Sequence, residues 1–338
     1  MERIRNRPEK FQLTRMIKTI KLMHPLILFY SALCLTLNPA YAEEISKNLR
    51  IATTVPPITN IIENVGGSLI AVTGLVPNGM DSHSFEPVPS NAKILANADI
   101  IIVNGLNLEE PIIRLAEKVK RTSTPIVYLA NETLPEEEWQ YDFSFPKEQG
   151  KPNPHLWPNI AMTIQYVAII RDRLVNLDPS HAAFYEANAS SYIAKLNRLD
   201  QAIFACIGTI PESNRKLVTY HDSFAYFAPR YGMKIIAAIQ PASFTEPGPR
   251  DIINIIEQIK REKIPAIFGS ELFPSKIMEQ IARESGANFV DKLSDDTLPE
   301  KPNHSFIGMM INNIEIMTKA LGGKPACARH VDASNLTD

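Results

Sequence analysis

From residue 48 onward, short apolar runs alternate with segments whose apolar residues recur at three- and four-residue spacing. Residues 49–54, 69–75, 99–104 and 124–130 are apolar runs of strand length. Between them, 58–64 predicts a helix ending at Gly66-Gly67, and 90–98 a helix capped by Ser90. Residues 108–121 predict a third helix, with Ile112, Leu115, Ala116 and Val119 on one face. Strands alternating with amphipathic helices form a parallel sheet covered on both sides. The same grammar returns later: strands at 216–220, 233–239, 264–269 and 287–293, helices at 224–231, 250–262, 275–285 and 306–321. The helix carrying Ile252, Ile253, Ile255, Ile256 and Ile259 is apolar on more than one side, which predicts deep packing.

The two runs are separated by helical pattern. Residues 159–176 place Ile160, Ile164, Val167, Ala168 and Leu174 at helical spacing, and Asp178-Pro179-Ser180 is a break. The pattern over 181–207 predicts a single helix roughly 40 Å long, enough to bridge two lobes. Residues 131–154, with Glu136-Glu137-Glu138, several prolines and scattered aromatics, predict a long surface connector; a functional role and plain linkage are both open. The fold class is therefore α/β: two β/α lobes, each with a mostly parallel four-stranded sheet, joined by one long helix. The expected segments are a leader at 1–42, an N-terminal lobe at 43–178, an interlobe helix at 179–210, a C-terminal lobe at 211–323 and a loose polar tail at 324–338.

Charge changes the picture at the N-terminus. The 338-residue chain has a net charge of −2, but residues 1–42 carry seven basic and two acidic side chains; removing that +5 leaves −7 for the rest. A mildly acidic body argues against nucleic acid as a partner. The basic residues precede an apolar run at 25–37 and then Asn38-Pro39-Ala40-Tyr41-Ala42. This is the layout of a cleavable secretory signal, with cleavage after Ala42; the run is shorter than the ~20 residues a membrane span needs. Met1 and Met16 both remain open as the start, and Leu33 before Cys34 disfavours a lipoprotein. The expected location is the periplasm, as a monomer. That compartment permits Cys206 and Cys327 to pair without showing that they do.

Seven histidines are present, and His24 leaves with the leader. His83, His155 and His221 lie among turn-forming residues or at a strand end: Asp81-Ser82-His83-Ser84-Phe85-Glu86-Pro87, Asn153-Pro154-His155-Leu156-Trp157, and Tyr220-His221-Asp222-Ser223. In open parallel sheets, ligands bind beyond the carboxyl ends of strands, where His221 and Asp291 are expected. Three imidazoles and a carboxylate suit zinc, and four protein ligands leave no position for a reactive water. The wide spacing forms no local motif, so on the residues alone an ordinary core or surface role is the better reading of each. His181 reads as a helix-start residue, His304 as a loop residue and His330 as idle. Trp157 is expected to pack beside the site and Asp222 to cap the next helix. Glu271 is open between orienting a ligand imidazole and simple solvation.

These blocks, taken in order, resemble the substrate-binding proteins of zinc- and manganese-importing ABC transporters, the cluster with a rigid interlobe helix. The resemblance covers about residues 48–323. It rests on Asp81 to Pro87, on Asn153 to Trp157, on Asp178-Pro179-Ser180-His181 with Phe184-Tyr185-Glu186-Ala187-Asn188, and on His221-Asp222-Ser223-Phe224-Ala225-Tyr226-Phe227. It implies a metal site in the interlobe cleft with ligands His83, His155, His221 and Asp291, Asp295 and Asp296 being near enough to compete with Asp291. It also implies delivery of the metal to an importer permease in the inner membrane. Histidine at the third position goes with zinc in the family, glutamate with manganese. The 131–154 loop lacks the histidine-rich run of many zinc members, so Mn2+ and Fe2+ stay as alternatives to Zn2+. Two other classes compete. A periplasmic zinc hydrolase would use Asp291 or Glu271 as base, but H-E-x-x-H is absent. An adhesin would use metal as a structural staple, since members have been described in cell adhesion.

Overall fold

The isoleucine- and valine-rich runs of the first half pair side by side. In the computed structural model, which describes residues 48–240, 247–270 and 276–338, β1 (Leu49–Thr53), β2 (Ile70–Gly74), β3 (Ile100–Val103) and β4 (Ile126–Tyr128) form a parallel sheet in the order β2-β1-β3-β4. β3 is buried along its whole length, which explains its unbroken apolar run. The crossovers carry α1 (Pro56–Gly66), α2 (Pro89–Asn97) and α3 (Glu110–Val119), and the short α4 (Leu129–Thr133) follows β4. Proline stands in the first turn of α1, α2 and α3, where its missing N–H costs nothing. Ser90 is not the cap of α2. The helix begins at Pro89, and Asn91 Oδ1 accepts from the Val88 N–H at 2.7 Å.

Two long helices follow, α5 (Ile160–Leu177) and α6 (Ala182–Gly208). The break between them is held by Asp178, whose Oδ2 lies 2.7 Å from His181 Nδ1 and accepts from the Tyr185 hydroxyl at 2.9 Å. His181 is thus the helix-start residue expected. α6 buries Tyr185, Ala189, Tyr192, Leu196, Leu199, Ile203 and Cys206, a stripe with helical period.

The second sheet is also parallel, β6-β5-β7-β8, from β5 (Lys216–Thr219), β6 (Lys234–Ala238), β7 (Ala266–Ser270) and β8 (Asn288–Leu293). Its helices are α7 (Phe227–Arg230), α8 (Pro249–Glu262), α9 (Lys276–Ser285) and α10 (Phe306–Ala320). The two-residue period of its strands divides the packing. Leu217, Ala266 and Phe268 join a core that continues through α10 and α6 into the first lobe. Val218, Tyr220 and Ile267 face a separate cluster with Ile255, Ile256 and Ile259 of α8 and Met278 and Ile281 of α9. α8 packs on one side only, with Ile253 55% exposed, so the deep burial expected of its isoleucines is not found.

The C-terminal tail is not loose. Cys206 at the end of α6 is disulfide-bonded to Cys327. Beyond it, Asn335 Oδ1 accepts from Asn60 and Asn64 of α1 at 2.9 and 3.1 Å, Leu336 N–H donates to Asn64, and Lys195 pairs with Asp332 at 2.8 Å. Asn335 and the Leu336 N–H thereby complete the hydrogen bonding of two buried α1 asparagines. The expected leader lies outside the described residues, among which no helix is long and apolar enough to cross a membrane.

The disulfide joins positions 121 residues apart, so removing it frees a large loop in the unfolded chain. Cys327→Ser is expected to cost ~2–4 kcal/mol of stability. Denaturant unfolding with and without the bond measures this; a change below about 0.5 kcal/mol, the range of an ordinary surface substitution, contradicts it.

Candidate metal centre

Each cluster residue comes from chain beyond the carboxyl end of a strand. His83 lies in the loop after β2, and His221 two residues after β5. His155 lies in the segment leading into α5. The His83 turn is set by Asp81, whose carboxylate accepts from the His83 N–H at 3.0 Å and the Ser84 hydroxyl at 2.7 Å. The His155 turn is set by Asn153, whose Oδ1 accepts from the His155 N–H at 2.9 Å and lies 2.8 Å from its Nδ1. Asn153 Nδ2 donates to the Asp142 carboxylate and the Asp222 carbonyl, both at 2.7 Å.

Below this loop, Asn104 donates to the Pro154 carbonyl at 2.8 Å and accepts from the Tyr166 hydroxyl at 2.7 Å. The backbone after Asn104 is left-handed at Gly105, Leu106 and Asn107. That costly path is held by buried Glu109, which accepts from the Asn104 and Gly105 N–H groups and the Thr54 hydroxyl.

His83 Nε2 lies 3.1 Å from His155 Nε2, and His221 Nε2 lies 3.3 Å from it. These three form the only metal-competent group of histidine, cysteine or carboxylate side chains found among the described residues. The Asp295 carboxylate is 3.8 Å from His155 Nε2, and its carbonyl accepts from Trp157 Nε1 at 2.9 Å. Asp291 does not join them. β8 continues past it to Leu293, and Asp291 is solvent-exposed on that strand. The chain reaches the cleft only after β8 ends, where Asp295 is buried. His304 is exposed with Nδ1 against the Pro299 carbonyl, and His330 is exposed in the tail. Asp222 caps no helix, and its carboxyl is fully buried. Glu271 lies outside the described residues.

The lobes meet directly around this point. Asn78 exchanges two hydrogen bonds with the Leu298 backbone, at 3.1 and 2.7 Å, and Ser82 donates to Asp296 from both its N–H and its hydroxyl. Comparison with known proteins reads the same arrangement. The family model described as zinc-uptake complex component A, periplasmic (ZnuA) matches residues 51–320. The chain belongs to the ZnuA family of metal-binding ABC-importer substrate-binding proteins.

Among its relatives, a manganese-binding lipoprotein, MntA, of Halalkalibacterium halodurans is 30% identical over 280 residues, 82% of this chain and 90% of the relative. An iron-binding protein, YfeA, of Yersinia pestis is 30% identical over 283 residues, 82% and 88% of the two chains. The solved structure of the periplasmic zinc binding protein TroA from Treponema pallidum superposes with a TM-score of 0.74 at 25% identity, covering 81% of this chain and 99% of that one. Two parallel-sheet lobes are the family fold, and its members are transport proteins that serve a membrane permease and ATPase, not enzymes. The hydrolase reading is thereby excluded.

Residues that the sequence left unremarked complete the ZnuA-type centre. His221 Nδ1 lies 3.1 Å from Gln240 Oε1, after β6, so His155 and His221 each have one nitrogen oriented by a side-chain amide and the other turned to the cluster. Phe145 packs against all three imidazoles. Gln240 and Phe145 are far from their histidines in sequence and lack a distinctive motif, whereas Asn153 sits two residues from its histidine.

Burial, and then the charge of neighbouring imidazoles, holds the pKa of His83 and His155 well below the ordinary histidine value. His221 is lowered by burial, with the Asp295 and Asp81 carboxylates pulling the other way. Burial thus favours the neutral ring, the form that can ligate a cation. Burial and the charge of Asp295 push Asp296 well above the carboxylate range; burial and the charge of Asp142 do the same to Asp222.

The depressed imidazoles give a sign to the pH dependence of metal-free protein. Below about 6.5 the unfolded chain protonates its histidines and the native state does not, so the unfolded state binds more protons and stability is lost as pH falls. Their contribution is complete above about 6.5 and is lost toward the lower folded values. Asp296 and Asp222 act oppositely, losing stability as pH rises through their raised values. Melting temperatures of metal-free protein between pH 7 and 5 should fall more steeply than those of a variant with all three histidines changed to glutamine. Equal slopes would contradict neutral, buried imidazoles.

Proposed function

We propose that the chain captures one Zn2+ in the periplasm, between its lobes, through His83, His155, His221 and Asp295, and delivers it to the permease of an ABC importer in the inner membrane. The observation that carries this reading is the convergence of three imidazole Nε2 atoms, at 3.1 and 3.3 Å, beside one carboxylate. Three nitrogens and one oxygen form a donor set that suits tetrahedral zinc better than manganese. The basic, apolar and Ala40-Tyr41-Ala42 segments of the leader support export and cleavage after Ala42. Neutral histidines converging on one spot can take the ion without first releasing an imidazolium proton.

A second reading, manganese or iron as cargo, has a specific motive: the two relatives at 30% identity are named for those metals. Their ions usually take more oxygen donors than this cluster provides. Competition titration of metal-free protein with zinc and manganese separates the readings, and stronger retention of manganese would overturn the first.

Purified protein is expected to carry about one metal ion per chain. His83→Ala and Asp295→Ala should each weaken zinc binding at least as much as the loss of an outer partner does, roughly 10–100-fold. Asp291→Ala should leave it unchanged. Zinc at a hundredfold excess over its dissociation constant should add about 2.7 kcal/mol to stability. An unchanged affinity in Asp295→Ala together with a loss in Asp291→Ala would return the fourth ligand to Asp291.

A further inference from the structure

The long connector at 131–154 sends one side chain into the cluster. The Phe145 ring centroid stands 5.7, 5.8 and 5.6 Å from the rings of His83, His155 and His221. Those three rings are themselves 4.8–5.1 Å apart. A ring equidistant from three corners lies on the axis through their triangle, so it covers one whole side of the cluster. Phe145 is 6% exposed, while Phe143, two residues earlier in the same connector, is 52% exposed.

The connector is fastened where it matters. Asp142 Oδ1 accepts from the Ser144 and Phe145 N–H groups at 3.1 and 3.2 Å. The other Asp142 oxygen accepts from Asn153, the residue that orients His155. The Ser144 hydroxyl donates to the Gln240 carbonyl at 3.4 Å, and the Gln240 side chain faces His221. The turn bearing Phe145 is therefore tied to the supports of two imidazoles, one in each lobe.

Just outside lies a vestibule of about 220 Å³ lined by His83, Phe145, Leu106, Glu110, Arg114 and Lys151. It is large enough to hold several waters, and polar groups border it. Phe145 lines it on one side and packs on the imidazoles on the other.

We propose that Phe145 limits the coordination number of the bound ion, and thereby selects the metal, by keeping vestibule water off the face of the cluster that it covers. The inference rests on the metal-carrier reading above. Zinc is satisfied by four donors in a tetrahedron. Manganese, and iron in its usual sites, complete their shells with water or further oxygens. An apolar plug leaves the first ion whole and the others short of ligands. The plug penalises manganese; the nitrogen donors reward zinc.

Cobalt(II) spectroscopy reads the coordination number directly. Cobalt-loaded wild type should show the intense visible bands of a four-coordinate ion. Phe145→Ala should open the vestibule to the cluster, weaken those bands toward a five- or six-coordinate spectrum, and reduce the zinc-over-manganese preference by about tenfold, the scale typical of an outer-sphere partner. Phe145→Leu, which keeps an apolar plug, should retain the wild-type spectrum. A side chain that only packs would change stability without changing the spectrum. Wild-type bands in a folded Phe145→Ala, with an unchanged zinc-to-manganese ratio, overturn the inference. So does a weak six-coordinate spectrum from the wild type, which needs no variant to fold. If the wild type binds neither cobalt nor zinc, the carrier reading itself is lost; cobalt bound with water ligands removes only the role of Phe145.

Discussion

Two imidazole nitrogens at 3.1 and 3.3 Å from that of His155 can share a protein interior only if the rings do not become imidazolium together. Two imidazolium charges so close in a low-dielectric interior would repel by several kcal/mol. Burial removes that possibility by holding the rings neutral, and the rest of the architecture serves the same end. Asn153 and Gln240 leave each supported ring one nitrogen for the cluster. Phe145 and Trp157 pack against the rings, and Trp157 also grips the Asp295 carbonyl. The cluster has room for one positive charge, which the protein itself does not supply.

Holding such a cluster across two lobes demands that the lobes keep their distance. The continuous core through β1, α6, α10 and the inner face of the second sheet meets that demand. Rotation of one lobe against the other would tear a packed interior, and the bonds between Asn78 and Leu298 and between Ser82 and Asp296 would be lost with it. The covalent tie from α6 to the tail, and the tail's bonds to α1, brace the same helices. The outer layer of the second lobe, α8 and α9 over Val218 and Ile267, has its own cluster. Its packing is separate from the shared core.

The difference between Asp291 and Asp295 shows where reading a sequence meets its limit. Both are aspartates within a few residues of one strand end, and pattern alone cannot say where the strand stops pairing. Two more residues of β8 turn Asp291 to solvent and leave Asp295 to enter the cleft. The tail misleads for a related reason: polar and small residues suggest looseness, but Asn335 and the Leu336 N–H find buried asparagines on α1 far away in the chain. α8 shows the converse, since five isoleucines predict deep burial and one of them faces water.

The alternation of apolar runs and helical periodicity determined, without further help, the two parallel-sheet lobes and the long helix between them, because those patterns are local. The three histidines stood among turn residues, but it was the family resemblance that singled them out as a set; only His83 and His221 follow directly on strands of their sheets. Tertiary structure alone put Asp295 rather than Asp291 near the imidazoles, paired Cys206 with Cys327, and placed the amides behind the rings and the phenylalanine over them. These depend on contacts between segments tens to hundreds of residues apart, where the chemistry of any one residue is ordinary and only its position gives it a role.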